Sequence, residues 1–354
     1  MLTKFKKFGV AAAVAAALGA SGAAQAVTLG EPGDALLVPY AITTGLGKIN
    51  TMVGIISASP NQVVVEQFPT LTGGTFVDAA GDTVPVKSPT SCGGKLHWYF
   101  FDVKSVEIVD GTLPVTCEDF VPFDFAAITQ NLPSAQNTPG YLVITDNDAS
   151  ITTPSRKILY AAAYQIRGNW ATQAYIPVIP MIDNGTSTSE VVHNGAFLKN
   201  VNPVTAGMAL PEVLGQQGLF SLRYYLGASP AGTTDFVLWF PENSDARKVQ
   251  SILVYDGNEV AFSAQTSIPN ELNILAVSPT ATVKAPYTGK IVDGLADTGF
   301  VLFNLKDGVD TTVTPPIPVV SRGGFAFSLV GVAGATQEQI QTELAQERGV
   351  TAAP

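Results

Sequence analysis

The sequence predicts an all-β fold, an antiparallel β-sandwich or jelly-roll-like arrangement that forms one large sandwich or two packed ones, with a short C-terminal helix. Three observations favour this class. Short runs rich in β-branched and aromatic residues recur along the chain. They are separated by many of the 33 glycines and 24 prolines, and the alternating helices of a parallel α/β protein are absent.

The chain begins with the three parts of a secretory signal peptide. Three lysines within the first seven residues precede an apolar run over residues 8–18, and a small-x-small cleavage site ends at Ala26. The apolar run is too short and too rich in alanine for a stable membrane span. We therefore expect cleavage after Ala26 and a secreted protein, extracellular or on the cell surface, with the periplasm as the alternative.

The charge of the mature chain excludes two classes of partner. Without residues 1–26 the chain keeps 16 basic and 29 acidic residues, a net charge of −13. Nucleic-acid binding and adsorption to anionic lipid both need clustered positive charge. No later stretch is apolar for long enough to predict a transmembrane segment, so we expect self-assembly or contacts with cell-surface components.

The first half of the chain contains a strongly aromatic predicted strand at residues 95–102. One face would carry Leu96, Trp98 and Phe100, and the other His97, Tyr99 and Phe101. Both faces are mostly apolar, which is typical of a central strand. The other predicted strands of this half are 35–40, 51–57, 61–68, 106–110, 140–145, 157–164 and 174–179. Asp110-Gly111 predicts a turn at the end of the strand 106–110.

The second half continues in the same style after a polar connection over residues 183–211. Its predicted strands are 220–226, 234–240, 251–255, 258–262, 299–304 and 324–330. Asp256-Gly257 predicts a two-residue hairpin turn. The expected organisation is a signal peptide (1–26), a β-sandwich region (27–195), a second β region that forms its own sandwich or completes the first (196–335), and a C-terminal helix and tail (336–354).

The predicted C-terminal helix rests on end signals and spacing. Thr336 and Gln339 form a capping-box pattern, and Gly349 is a suitable stop. Ile340 and Leu344 lie four residues apart and would form a narrow apolar stripe. We expect this stripe to dock on the sheet, with a neighbouring subunit as the alternative.

Cys92 and Cys117 are the two cysteines of the chain. In an exported protein two cysteines at this separation favour a disulfide bond, which would stabilise the fold by about 3–4 kcal/mol in the chain-entropy description. The alternative is a pair of free thiols. A site for a transition metal would need further ligands, and His97 and His193 are the two histidines available.

Calcium is the ion hypothesis that the acidic turns support, and no other cofactor is expected. Asp146, Asp148, Asp307 and Asp310 place hard oxygen ligands in turns, as calcium prefers. Neither stretch matches the helix-loop-helix calcium pattern. Aspartates in turns also serve local hydrogen bonding, which is the alternative explanation.

The sequence assigns no catalytic residues. Gly-x-Ser-x-Gly and the phosphate-binding glycine loop are both missing. His97 in an aromatic strand and His193 in a loop have ordinary explanations as packed and solvated residues. Paired-carboxylate chemistry stays open, because 29 acids offer many pairs. Trp98, Trp170 and Trp239 would form either a sugar-stacking platform or parts of the core, and the core is the commoner role.

Three segments resemble a group of uncharacterised secreted bacterial proteins that begin with a Gly-Asp-x-Leu-Leu-x-Pro-Tyr strand. The segments are Gly33-Asp34-Ala-Leu-Leu-Val-Pro39-Tyr40, Leu96-His-Trp-Tyr-Phe-Phe-Asp102 and Val115-Thr-Cys-Glu-Asp-Phe-Val-Pro-Phe123. The resemblance implies an envelope or extracellular location. It brings no activity and no site residues.

The leading functional hypothesis is a non-enzymatic structural protein of the cell surface or extracellular matrix: a surface-layer, filament, sheath or adhesive subunit. Export, acidity, low charge density and missing catalytic motifs support it. One alternative is an envelope module that binds carbohydrate or another ligand through exposed aromatic residues. A second alternative is a carboxylate-based hydrolase.

Overall fold

Antiparallel strands make up most of the part of the chain that the computed structural model describes. The structure describes residues 33, 35–57, 75–77, 83–85, 94–115, 119–145, 159–183, 208–209, 219–227, 232–240, 250–257, 261–277, 298–304, 309–310, 317–318, 324–333 and 338–347. The all-β prediction is confirmed. The predicted signal peptide, the strand at 61–68 and the boundary near residue 195 lie outside the described residues and stay predictions.

The first half of the chain carries strands and one short helix. They are β1 (Ala35–Ala41), β2 (Ile49–Ser57), β3 (Thr75–Val77), β4 (Thr83–Pro85), β5 (Gly94–Asp102), β6 (Glu107–Val115), β7 (Asp119–Asp124), α1 (Phe125–Thr129), β8 (Gly140–Thr145), β9 (Leu159–Arg167), β10 (Thr172–Ile176) and β11 (Ile179–Asp183). Helix α1 begins where the Asp124 side chain accepts a hydrogen bond from Ala127 N.

The second half of the chain carries strands throughout its described part. They are β12 (Met208–Ala209), β13 (Leu219–Tyr225), β14 (Gly232–Trp239), β15 (Gln250–Asp256), β16 (Ala261–Thr266), β17 (Leu272–Val277), β18 (Thr298–Asn304), β19 (Val309–Asp310), β20 (Ile317–Pro318), β21 (Phe325–Ala333), β22 (Glu338–Leu344) and β23 (Gln346–Glu347).

Four sheets hold most of these strands. Sheet 1 has the order β10-β9-β2-β7, and sheet 2 has β12-β11-β1-β8-β5-β6. Sheet 3 has the order β17-β14-β21-β22, and sheet 4 has β16-β15-β18-β13-β23. The short pairs β3-β4 and β19-β20 form two further ladders. The sheets are open, and their ladders are antiparallel.

Sheet 2 is covered on both faces. On one face the Trp98 ring meets Phe123 of sheet 1 edge-on, with ring centroids 5.3 Å apart. On the other face Tyr141 meets Trp239 of sheet 3 in a T-shaped contact at 5.8 Å. This burial on both sides explains the continuous apolar sequences of β1 and β8, which are buried at every position. The two apolar faces of β5 predict a strand inside a sheet, and β5 indeed lies between β8 and β6.

Sheets 3 and 4 form a second sandwich behind the first. Phe236 of sheet 3 meets the Phe303 ring of sheet 4 edge-on at 6.1 Å. One apolar cluster fills this second sandwich. The other cluster joins residues of β1, β5 and β8 to Trp239 and Phe327 of sheet 3. The sheet faces therefore stack in the order 1, 2, 3, 4, and the two sandwiches share buried apolar contacts. Sheets 1 and 3 also touch directly at their edge strands β10 and β22.

The predicted C-terminal helix is wrong, because Glu338–Leu344 is strand β22. It pairs along β21, with Ile340 opposite Gly331. A spacing of four residues puts Ile340 and Leu344 on one face of a strand as well as of a helix, so the spacing could not decide between them. The contact with β10 favours the strand: Ile340 N donates to Thr172 Oγ1 at 3.2 Å, and the Thr342 hydroxyl donates to the Tyr175 carbonyl oxygen.

Two predicted turns are also corrected. β15 and β16 form the predicted hairpin, but Tyr255 pairs with Ala261, so the connection is longer than a two-residue Asp-Gly turn. The turn predicted at Asp110-Gly111 is absent, because β6 runs through both residues. Gly111 lies beneath the Trp98 ring, where a Cβ would come within 2.8 Å of the indole. This glycine permits a close approach instead of a turn.

Candidate functional site

The predicted disulfide and calcium residues fall largely outside the described part of the chain. Cys92 and Cys117 lie outside it, as do Asp146, Asp148 and Asp307. Asp310 belongs to β19, although the structure does not describe its side chain. Within the described ranges, no group of three or more His, Cys, Asp or Glu residues is placed to hold a metal ion. The described residues also include no helix long and apolar enough to cross a membrane.

The three tryptophans do not form a common platform. Trp98 and Trp239 are buried in the two sheet interfaces, as expected of core residues. Trp170 is 65% exposed in the turn between β9 and β10. It has a φ of 69° and follows Asn169 with a φ of 54°, a backbone conformation that strains an aromatic residue.

His97 on β5 lies between two polar side chains of sheet 2, one on β5 and one on the edge strand β6. Its Nε2 lies 2.7 Å from Asp110 Oδ2 on β6, and its Nδ1 lies 3.0 Å from the Tyr99 hydroxyl. The His97 and Tyr99 rings also stack with centroids 4.3 Å apart. Both ring nitrogens of His97 therefore have a partner, and Nε2–H can donate to the Asp110 carboxylate. His193 lies outside the described residues.

The Asp110–His97–Tyr99 cluster orients its members but presents no activated nucleophile. Burial, together with the charges of Asp110 and Glu107, raises the pKa of Tyr99 to about 12. A phenol with this pKa keeps its proton at neutral pH. Tyr99 is also only 2% exposed. The aspartate-histidine pair is the arrangement used in nucleophilic catalysis, but its third member does not suit that chemistry.

The outer face of sheet 1 carries exposed apolar side chains on neighbouring strands. Strand register aligns Tyr160, Ile56 and Phe120 in one cross-strand row. Phe120 is 61% exposed and Ile56 45%. This row and the two rows beside it contain one charged residue, Asp124, at the β7 end of the Met52 row. We call the uncharged members of the three rows the aromatic face; they are Tyr160, Ile56, Phe120, Ala162, Gly54, Pro122, Tyr175, Tyr164 and Met52.

The centre of the aromatic face is occupied by a glycine, which has no side chain. Gly54 lies under the Phe120 ring, where an added Cβ would come within 3.0 Å of the ring. The missing side chain lets the ring lie across the strand. Tyr164 and Tyr175 meet in a T-shaped contact at 5.8 Å in the last row. An exposed apolar surface formed by neighbouring residues, unlike scattered single residues, is typical of a contact site.

Exposed apolar side chains also mark one end of sheet 1. The turn that carries Trp170 is hydrogen-bonded to the β1–β2 loop through Gly168 N and Lys48 O at 3.0 Å. That loop exposes Leu46, which is 61% accessible. The end of the sheet therefore presents two large apolar residues from adjoining loops.

Sequence reasoning missed a buried acidic residue between sheets 2 and 3. Tyr141 on β8 donates its hydroxyl hydrogen to Glu271 Oε2 at 2.6 Å, and both residues are buried. Burial, followed by the effects of the Glu271 carboxyl, raises the pKa of Tyr141 well above its ordinary value. Glu271 sits just before β17 in a segment whose pattern gives no sign of burial. Its role follows from the packing of two distant chain segments.

Comparison of the chain with protein-family models, with curated proteins and with solved structures found no match.

Proposed function

We propose that the protein is a non-enzymatic secreted structural subunit of the cell surface or extracellular matrix, and that it makes contacts through the aromatic face. The observation that carries the proposal is the cross-strand row of Tyr160, Ile56 and Phe120, in which Ile56 and Phe120 are exposed and Tyr160 is partly buried. Covering such side chains removes apolar area from water, at about 25 cal/mol for each Å².

The edge of sheet 1 offers a second element of the same contact. Among the described strands, β7 pairs with β2 alone. An edge strand of this kind presents backbone donors and acceptors to an incoming strand. Phe120 lies on this edge strand. A partner that added a strand to β7 would therefore also cover the adjoining aromatic face. Assembly through an edge and an adjoining face suits a filament, sheath or surface-layer subunit.

A disulfide between Cys92 and Cys117 forms part of the proposal. Gly94 pairs with Val115 at the end of the β5–β6 ladder. Cys92 precedes the start of β5 by two residues, and Cys117 follows the end of β6 by two residues. Because these two strand ends are paired, this placement favours a disulfide bond. Mass spectrometry of the secreted chain, alkylated without reduction, should show a mass lower by two hydrogens and no alkylated cysteine.

The assembly proposal is tested with secreted mature protein. Sedimentation velocity and electron microscopy should reveal assemblies larger than the monomer, and Phe120→Thr should reduce them. Val106→Thr is the matched control, because Val106 is also a highly exposed apolar residue but lies outside the aromatic face. A wild-type chain that stays monomeric over a wide concentration range contradicts the proposal.

Calcium at the aspartate-rich turns remains part of the proposal and is tested in the same preparation. Assemblies and melting temperature are measured before and after treatment with a chelator and after calcium is restored. A melting temperature that falls with the chelator and recovers with calcium supports a structural ion. An unchanged melting temperature removes calcium from the proposal.

A further inference from the structure

The outer face of sheet 4 contains a depression with a different chemical character from the aromatic face. Its volume is about 610 Å³, and its lining includes Ser251, Leu253, Ser263, Gln265 and Leu302. Strand register sets Ser251 opposite Gln265 and Leu253 opposite Ser263. Hydroxyl and amide groups therefore alternate with leucine side chains on adjacent strands, and none of the lining residues is ionisable.

An aromatic pair adjoins the depression. Tyr255 and Phe300 lie two residues along the same strands from Leu253 and Leu302, on the same face and about 7 Å away. Their rings stack with centroids 4.7 Å apart and planes inclined by 12°. The cross-strand neighbour of Tyr255 on β16 is Ala261, which carries only a methyl group. The Tyr255 side chain is partly exposed.

The charges around the depression do not favour an ionic ligand. Arg223, the neighbour of Phe300 on β13, forms an ion pair with Glu343 at 3.1 Å. The expected mature chain carries a net charge of −13, which repels polyanions at long range. The lining instead offers hydrogen-bonding groups without charge and an apolar floor.

We propose that the sheet 4 depression binds a neutral oligosaccharide. A saccharide has hydroxyl groups around its rim, which the Ser251, Ser263 and Gln265 side chains match as donors and acceptors. It also has apolar C–H faces, which match leucine and an aromatic ring. The volume is that of a small-molecule site. Among the described strands β16 pairs with β15 alone, so a longer glycan has an open side along which to extend.

This proposal does not depend on the assembly function, because the two surfaces belong to the outermost sheets on opposite sides of the layer order. Phe120→Thr should therefore leave sugar binding unchanged while it reduces assembly. A loss of sugar binding in that variant would tie the two surfaces together and contradict the assignment to sheet 4.

Isothermal titration calorimetry of the mature chain with cellotetraose, chitotetraose and maltotetraose is the direct test, supported by sedimentation with insoluble cellulose and chitin. At least one probe should bind. Gln265→Leu should weaken that binding about five-fold, the loss expected for one hydrogen bond. Gln339→Leu, a matched change at an exposed strand position on sheet 3, should bind as the wild type does. Unchanged melting temperatures confirm that both variants fold.

Three outcomes overturn the proposal. One is the absence of binding to all three tetrasaccharides and both polysaccharides at millimolar sugar. Another is binding that Gln265→Leu leaves unaltered. The third is a dimer or larger species that Leu253→Asp dissociates while Phe120→Thr does not, which would assign the depression to a second copy of the chain.

Discussion

The Tyr141–Glu271 hydrogen bond should be a main contributor to the contact between sheets 2 and 3. Tyr141→Phe removes the hydroxyl donor and keeps the ring, which packs on Trp239 at 5.8 Å and on Phe101 at 5.2 Å. The substitution therefore tests the hydrogen bond with little change in apolar packing. It leaves the buried Glu271 carboxyl without the donor that lies 2.6 Å from Oε2.

The expected loss follows from burial. A buried acceptor that loses its donor keeps its desolvation cost, about 1–3 kcal/mol. Because Glu271 is fully buried, we expect Tyr141→Phe to lower the free energy of unfolding by about 2–3 kcal/mol. Glu271→Gln should cost less, because the amide oxygen still accepts a hydrogen bond from the phenol.

Urea unfolding followed by tryptophan fluorescence gives the measurement. Tyr224→Phe is the matched control, because Tyr224 is also buried but its hydroxyl makes a long contact of 3.4 Å with the Tyr255 carbonyl. The control should lose less than about 1 kcal/mol. The double variant of Tyr141 and Glu271 should lose less than the sum of the single losses. A Tyr141→Phe loss no larger than that of Tyr224→Phe would refute the reasoning.

Three further predictions concern pH and backbone conformation. Burial raises the pKa values of Tyr99 and Tyr224 to about 12, so between pH 10 and 12 the unfolded chain loses phenol protons that the native chain keeps. The urea midpoint should therefore fall across this window, and native absorbance at 295 nm should show delayed ionisation; a flat midpoint contradicts this. Gly140→Ala should lower the free energy of unfolding in urea by about 1–3 kcal/mol, because a Cβ would come within 2.1 Å of the Phe101 carbonyl oxygen. An unchanged urea midpoint argues against this close approach. Trp170→Asn should raise stability by about 0.5–1 kcal/mol in the same assay, because asparagine tolerates a φ of 69°; a loss would show that the indole makes a stabilising contact.

Strand content was well predicted because it depends on local pattern. β1 and β8 were found from β-branched and apolar runs between turn residues, and the structure buries both completely. The central position of β5 followed from its two apolar faces, since a strand with one solvated face alternates apolar and polar residues. These predictions need only the two-residue period of a strand.

Two predictions were wrong because the local sequence pattern fits more than one conformation and a contact with another strand decides between them. The four-residue spacing of Ile340 and Leu344 fits both a helix and a strand, and pairing with β21 decided for the strand. Asp110-Gly111 has the composition of a turn, but the glycine makes room for the Trp98 ring in a continuous strand. In both cases a distant partner determined the local conformation.

The sequence alone determined the strand-rich fold, the net charge of −13 expected for the mature chain and the lack of familiar catalytic motifs. These follow from composition and short-range order. Tertiary structure decided which apolar residues are exposed on the aromatic face, which serines gather in the sheet 4 depression and why Glu271 is buried. Phe120 and Phe123 are the same residue type on the same strand, and their sequence positions do not show which ring is exposed. The stacking of sheet 2 on sheet 1 buries Phe123 and leaves Phe120 exposed.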